Sequence, residues 1–308
     1  MKQNHFTGKG NISARVIADS LNSAGIRMMT YELEYPRFIH SEFMTHRMLS
    51  KNSASSRAIP VAKMHEHIQQ VPQAPIHWGK NQSGMQAKEE LEGVHLEAAK
   101  KLWDEARDAA IKFAQTMNFH GLHKQAANRI TEPYMQMKVV CSGTEWTNFF
   151  WLRNHEDAQP EIQELAKLMW RGFSSSLPQI LKPGEWHLPY INTEIVNDVA
   201  VYTDQDGNEL TLEDARIISA SCCAQVSYRK SDDSLEKARQ IFDRLVKSEP
   251  VHASPVEHQA TPMQTLKNNW EPGVTHQTRN GDMWSGNLRG WIQYRQLIPN
   301  HSRMEINQ

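Results

Sequence analysis

The sequence predicts an α+β protein, a mostly antiparallel central sheet flanked by long helices. Three observations carry that reading. Residues 28–35 alternate strictly, Met29, Tyr31, Leu33 and Tyr35 against Thr30, Glu32 and Glu34, which is the period of a half-buried strand. Leu91, Val94, Ala98, Leu102, Ala106, Ala109 and Phe113 recur every three or four residues, as in an amphipathic helix of about seven turns. Strand and helix signals are scattered rather than alternating, which argues against a βαβ architecture.

Taken in order, Pro36 stops the first strand and Gly121 ends the long helix. A second helix is expected over roughly 122–132, ahead of Pro133. Ile162, Leu165, Leu168 and Met169 stripe a third, which begins near Asp157. Between the strand at 28–35 and the next one the chain reads as mostly helix. That next strand is VAVYT at 199–203, and Asp206-Gly207 after it suits a hairpin turn. Thr211 with Asp214 resembles a capping box for a fourth helix. Leu235, Ala238, Ile241, Phe242 and Leu245 stripe a fifth, ended by Pro250. The stretch 70–86 is rich in Pro, Gly and Gln and reads as a long functional loop. There is no repeat of fixed period and no clean boundary, so residues 1–308 are read as one domain with a C-terminal extension from about 263.

Composition narrows the function classes. Lys and Arg number 34 against 35 Asp and Glu, a formal charge of -1, so no net field draws the chain to nucleic acid or to an anionic membrane. No apolar run is long enough to span a bilayer, and MKQNHFTGKG lacks the apolar region of a signal peptide. Three cysteines, Cys141, Cys222 and Cys223, two of them adjacent, make no disulfide framework. They read as small buried residues in a reducing cytoplasm. No dinucleotide or P-loop fingerprint is present. The histidine pairs His65/His67 and His120/His123 lack further ligands at metal spacing, so no metal is expected. Met28, Met29, Met135 and Met137 read as packing.

Three segments are dense in functional side chains. Thr45 to Arg57 holds two Arg, one Lys, one His, one Asn and four Ser in thirteen residues. It suits an anion site, since arginine forks onto phosphate oxygens, and equally a solvated polar loop. Cys141 to Ile162 sets Trp146, Phe149, Phe150 and Trp151 beside Asn148 and Arg153. That combination suits a planar heterocycle, or a core with polar flanks. His252-Ala253-Ser254-Pro255-Val256-Glu257-His258 alone is only a helix end followed by an N-cap Ser and Pro.

Together these segments resemble the flavin-dependent thymidylate synthases. Their signature R-H-R-x-x-S-x-N-E-x-S-x-R is matched by His46, Arg47, Ser50, Asn52, Ser55 and Arg57, with Thr45 in place of the first Arg and Ser53 in place of the Glu. Further along, Arg129, Asn148, Arg153 and Ala158-Gln159-Pro160-Glu161-Ile162 match without gaps between Asn148 and Gln159. An H-x-[ST]-P-x-E-H element that usually precedes the signature comes here at 252–258, after Ala224-Gln225-Val226-Ser227-Tyr228, so the motif order resembles a circular permutation. The resemblance covers about 28–60, 120–175 and 212–262.

The resemblance implies reductive methylation of dUMP to dTMP by methylenetetrahydrofolate, with NADPH supplying reducing equivalents through FAD in a homotetramer. By the same resemblance, Arg57, Ser55, Arg129 and Glu42 would bind the nucleotide. Arg153 would bind the pyrimidine and stabilise charge on its carbonyl as the catalytic group. His46, Arg47, Asn52, Asn148, Ser227, His252 and Ser254 would contact FAD. Asp157 stands where the family often has a His near the flavin, and Glu42 where many members have a Gln. The departures at Glu42, Thr45 and Ser53 leave two alternatives open: a pyrimidine-nucleotide hydroxymethylase or dCMP methyltransferase on the same scaffold, and a non-catalytic flavin- or nucleotide-binding protein. Arg289 or Arg295 in the tail is expected to replace the charge missing at Thr45, the bland alternative being a surface helix.

Overall fold

The computed structural model describes residues 4–226 and 234–303. Its main sheet has six strands: β1 (His5–Thr7), β2 (Ser13–Leu21), β3 (Arg27–Pro36), β4 (Ser50–Ser53), β5 (Gln136–Gly143) and β6 (Gln179–Ile180). The order is β1-β2-β3-β5-β4, antiparallel throughout, and β6 adds to β2 in parallel. The fold is therefore α+β, as the sequence predicts.

The alternation of β3 sets the two faces of the sheet. Met29, Tyr31, Leu33 and Tyr35 are fully buried on one face. There they meet Ile162, Leu165 and Met169 of a helix that packs across the sheet. Thr30, Glu32 and Glu34 point to the other face, which is built from polar contacts. Glu32 takes Arg15 at 2.7 Å, Lys138 at 3.0 Å and the Tyr190 hydroxyl at 2.9 Å. Its carboxyl is held below the ordinary range: burial opposes ionisation most strongly, but the Lys138 and Arg15 charges and the Lys138 and Tyr190 hydrogen bonds together outweigh it. Strands β4 and β5 occupy part of the stretch that reads as helix in sequence.

Six helices lie before residue 180: α1 (His40–Met44), α2 (Val61–Gln70), α3 (Gly93–Phe119), α4 (Lys124–Ala127), α5 (Thr147–Arg153) and α6 (Pro160–Ser175). The expected helix over 122–132 is the short α4, capped by the His123 side chain, followed by a 3₁₀ stretch at Asn128–Tyr134 that accommodates Pro133. α6 begins with Pro160 in its first turn, and its Ile162/Leu165/Leu168/Met169 stripe is buried as expected.

The long helix α3 forms and ends where expected, with Gly121 at φ +91° just beyond it. Its buried face is a correction. Val94, Leu102 and Phe113 are 78%, 64% and 60% exposed, while Ile111 and Ala114 are buried. The helix is apolar on two stripes, and the one that docks carries Trp103. That indole meets Phe38, Trp78 and Tyr134 edge-on and donates its N–H to the Gln73 carbonyl at 3.0 Å. A large ring with a satisfied N–H outcompetes smaller aliphatics for the same surface. The 70–86 loop folds back on residues 89–91 through Lys80 N–H to Glu89 (2.7 Å) and Leu91 N–H to Trp78 (2.7 Å). Glu161, buried in α6, accepts the Ile76 N–H at 2.9 Å.

A second cluster is built from β7 (Asn192–Val196), β8 (Val199–Thr203), β9 (Glu209–Leu210), α7 (Leu212–Ala224) and α8 (Leu235–Val246). β8 and the 204–208 turn occur where the sequence places them, with Gly207 at φ +88°. Thr211 caps α7 by accepting the Asp214 N–H at 3.1 Å. The C-terminal end of α7 lies on the polar face of the main sheet, where Cys223 and Val226 meet Val140.

Beyond α8, a 3₁₀ turn at Ser254–Glu257 leads into β10 (Ala260–Pro262), β11 (His276–Gln277), β12 (Met283–Ser285), β13 (Leu288–Arg289) and β14 (Trp291–Gln293). The tail is thus short strands, not a surface helix. Trp291, fully buried, fastens it to Met28, Leu181 and Leu288, and donates to the Ile26 carbonyl at 3.1 Å. Cys141, Cys222 and Cys223 are buried and none is in a disulfide. Burial pushes the Cys141 thiol up to about 12, so it stays a protonated, inert packing group.

Candidate active site

The 45–57 segment is placed by the edge of the main sheet. Thr45 closes α1 by donating its hydroxyl to the Glu42 carbonyl at 2.7 Å. The chain turns at His46–Leu49 (Leu49 N–H to His46 carbonyl, 3.2 Å), pairs along β5 as β4, and turns again at Ser55–Ala58. Strand alternation in β4 sends Lys51 and Asn52 to opposite sides. Lys51 donates to the His46 and Leu49 carbonyls at 2.5 and 3.1 Å and so braces the first turn. Asn52 reaches across to the Cys223 carbonyl at 2.6 Å, tying β4 to the end of α7.

One group of expected site residues converges. Arg153, at the end of α5, donates Nε to His46 Nε2 at 2.8 Å and pairs Nη1 with Glu42 Oε1 at 2.5 Å. The His46 ring stands edge-on to Phe149 at 5.0 Å. Its pKa is lowered to about 4, by burial first and then by the Arg153 and Lys51 charges. His46 is therefore neutral at pH 7, with Nε2 accepting from Arg153 and the proton on Nδ1. Glu42, His46 and Arg153 form a cation held between an acceptor nitrogen and a carboxylate.

A second group converges on Glu132. Its Oε1 takes Arg129 at 2.8 Å, Arg37 at 3.0 Å and the Ser56 hydroxyl at 3.0 Å. Asn128 donates to the Ser56 and Ile59 carbonyls at 2.9 and 3.0 Å. Arg129 is thereby brought beside the turn that carries Ser55 and Arg57. Ser55, Ser56, Lys138 and the methionines Met64, Met135 and Met137 line a cavity of about 410 Å³. Arg47, Arg57 and Asn148 are exposed, and neither arginine makes an ion pair with a described residue. Asp157 is exposed and interacts with His155 at 3.6 Å.

The 252–258 segment lies beside β4. Gln293 Nε2 donates to the Glu257 carbonyl at 3.1 Å, and the same nitrogen meets Ser50 Oγ at 3.3 Å and Asn287 Oδ1 at 3.0 Å. Asn287 in turn donates to the Met48 carbonyl at 3.0 Å. His252 and Ser254 are exposed, and the His252 N–H is held by the Leu245 carbonyl at 2.7 Å. Ser227 lies outside the described residues. The structure does not offer Arg289 or Arg295 as a substitute for charge at Thr45: Arg289 pairs with Glu145 at 2.7 Å and Arg295 with Glu257. Among the described residues no group of three or more His, Cys, Asp or Glu is disposed to hold a metal.

Side chains distant in sequence meet beside β4: Arg153 on His46 and Glu42, and Gln293 on Ser50 and the Glu257 carbonyl. The profile of the family described as thymidylate synthase complementing protein matches residues 26–179, half of the chain. The chain belongs to this family. No curated protein matches it. Within the matched span lie β3, β4 and β5, the Glu42–Arg153–His46 cluster and the Glu132 hub. The 252–258 segment and the strands that clamp it lie outside. Glu132, Asn287 and Gln293 were not found from sequence: each acts through partners fixed only by tertiary packing. No helix among the described residues is long and apolar enough to cross a membrane.

Proposed function

We propose that this protein is a flavin-dependent thymidylate synthase that methylates dUMP to dTMP, using methylenetetrahydrofolate as one-carbon donor and NADPH as reductant through FAD. The observation that carries the reading is the meeting of three segments at one sheet edge: the 45–57 signature, Arg153 of α5, and residues 252–258, held against Ser50 by Gln293. Their adjacency supports a circularly permuted chain whose motifs occupy the family's places in space. The donor set fits the cofactor. Arg47, exposed and without an ion pair among described residues, suits a diphosphate, and His46, Asn52, Asn148, His252 and Ser254 supply hydrogen-bonding groups. When bound, FAD supplies the reducing equivalents, so no thiol nucleophile is required.

The remaining chemistry is positioning and electrostatics. Ser55, Arg57 and Arg129 bind the nucleotide phosphate, with Glu132 fixing the Arg129 fork beside the Ser55 turn. Arg153 hydrogen-bonds the pyrimidine and stabilises negative charge developing on its carbonyl. Because His46 is neutral and Glu42 lies on the opposite side, the guanidinium is oriented in advance. Glu42 also favours a second reading. A carboxylate beside Arg153 presents an acceptor to the exocyclic amine of cytosine, the pairing carboxylates make with that base, so dCMP methylation or hydroxymethylation is the alternative to exclude.

The exposed Val94/Leu102/Phe113 stripe supports assembly, and we assign it to a contact between copies in a homotetramer working in the cytoplasm. The test is direct. Purified protein should be yellow with bound FAD, and should convert dUMP to dTMP with methylenetetrahydrofolate and NADPH. A colourless protein that takes up no flavin, or a hydroxymethyl product by mass, overturns the assignment.

A further inference from the structure

A chain of five buried side chains crosses the polar face of the sheet. Ser20 Oγ meets His187 Nδ1 at 2.8 Å, and His187 Nε2 meets Thr30 Oγ1 at 2.8 Å. Thr30 Oγ1 meets Ser142 Oγ at 2.7 Å, and Ser142 Oγ meets His258 Nδ1 at 2.9 Å. None of the five is more than 4% exposed. The backbone repeats the connection: the His187 N–H donates to the Ala260 carbonyl at 2.8 Å, and the Ala260 N–H to the His187 carbonyl at 3.3 Å.

Thr30 and Ser142 lie on β3 and β5, inside the span matched by the family, whereas His187 and His258 lie outside it. The chain is thus a buried fastening between the family core and the segment 252–260, separate from the Gln293 contacts to Ser50 and Glu257. His258 lies about 230 residues beyond Thr30 along the sequence. Their adjacency is supplied by these side chains together with the His187–Ala260 backbone pair.

We propose that His187 is a positioning residue that holds the 252–258 segment on the central sheet, and with it His252 and Ser254 in their cofactor-facing places. The consequence for flavin rests on the function proposed above; the fastening itself does not. A neutral imidazole donates at one nitrogen and accepts at the other, so His187 alone in this chain can serve Ser20 and Thr30 at once. Without it, two hydroxyls in a dry interior lose a partner, and the order of donors through Ser142 to His258 is no longer imposed. His187 and His258 both have pKa values pushed down to about 3 by burial, in keeping with a network of neutral groups.

The test compares full-length His187→Phe, which keeps a planar ring but no hydrogen bonds, with His187→Gln, whose amide restores the contact to Thr30. Amide hydrogen exchange is read at 252–260 and at 136–143 in the protein without ligands, together with affinities for FAD and for dUMP. His187→Phe should accelerate exchange at 252–260 about tenfold relative to 136–143 and weaken FAD about tenfold, with dUMP affinity within about twofold, the size expected for one lost hydrogen-bonded link. His187→Gln should recover most of both effects. Unchanged exchange at 252–260 overturns the proposal, and so does an equal rise in both regions with both ligands weakened alike, which marks a merely structural residue. If the wild-type chain binds no FAD, the thymidylate synthase reading fails while the exchange comparison still decides the role of His187.

Discussion

Acid should unfold this protein through its histidines before its carboxylates titrate. His187 and His258 are fully buried, with pKa values lowered by burial to about 3. His40 and His46 are partly buried and lowered to about 4. Each is depressed relative to an unfolded histidine near 6.5, so each stabilises the fold fully above that pH. The contribution is lost as pH falls through the window between unfolded and folded values, because the unfolded chain binds the proton first. For the buried pair the slope approaches about 2.7 kcal/mol per pH unit below pH 6, two protons at about 1.36 kcal/mol each. His40 and His46, nearer to water, are screened and add roughly half as much again. Between pH 6.5 and 5 the fold should therefore lose about 5 kcal/mol, a large part of the 5–15 kcal/mol typical of a domain. Urea unfolding monitored by tryptophan fluorescence at pH 7.5, 6 and 5 measures it. His258→Gln should flatten the slope by about one proton. A wild-type slope under about 1 kcal/mol per pH unit between pH 6 and 5 refutes the neutral, buried assignment of His187 and His258.

Other expectations follow from single contacts. Trp103→Ala removes the ring that docks α3 and should lower unfolding free energy by about 3 kcal/mol in chemical denaturation. Leu102→Lys lies on the exposed stripe of the same helix, so it should leave the thermal midpoint within about 2 °C at low protein concentration while lowering the assembly mass seen by light scattering. Arg153→Lys keeps the charge but loses the two-sided geometry to His46 and Glu42. It should reduce turnover about a hundredfold, close to 3 kcal/mol of transition-state stabilisation, with little change in dUMP affinity. Glu132→Gln should weaken dUMP binding about tenfold without changing FAD binding, since it loosens Arg129, Arg37 and Ser56 around the Ser55 turn.

The sequence was most legible where a single face is buried. β3, α6, α7, α8 and the β8 hairpin appear where period and capping place them. β5 was missed because both its faces are covered: Val139, Val140 and Cys141 are all fully buried, which erases alternation. β2 was missed because its register shifts between Val16 and Ala18, breaking the period in mid-strand. β4 is four polar residues on a sheet edge, and Ser-Lys-Asn-Ser carries no strand signal of its own. The stripe on α3 was legible as a helix but not as a surface, since nothing local says which of two apolar faces a single chain will cover. Site legibility divides the same way. Glu42, His46 and Arg153 are singled out by the family resemblance, and they meet. The residues that brace the surrounding segments, Lys51, Glu132 and Gln293, are ordinary polar side chains until their partners are known.

Those supports share a physical logic. The candidate site joins segments near residues 50, 153 and 257, and ordering such distant pieces carries an entropic penalty that no single surface contact offsets. Each junction is accordingly made with more than one bond: Arg153 on His46 and Glu42, Glu132 on three donors, Gln293 on three acceptors, while Lys51 braces its own turn on two carbonyls. Bonds of this kind are individually weak in water and much stronger when excluded from it. Gln293 is buried, and Lys51 and Glu132 are mostly shielded. A chain whose motifs arrive in altered order needs such junctions more than one whose backbone already links them. Of the three, Lys51 and Glu132 lie inside the span matched by the family, and Gln293 lies beyond it, where it joins the 252–258 segment to β4.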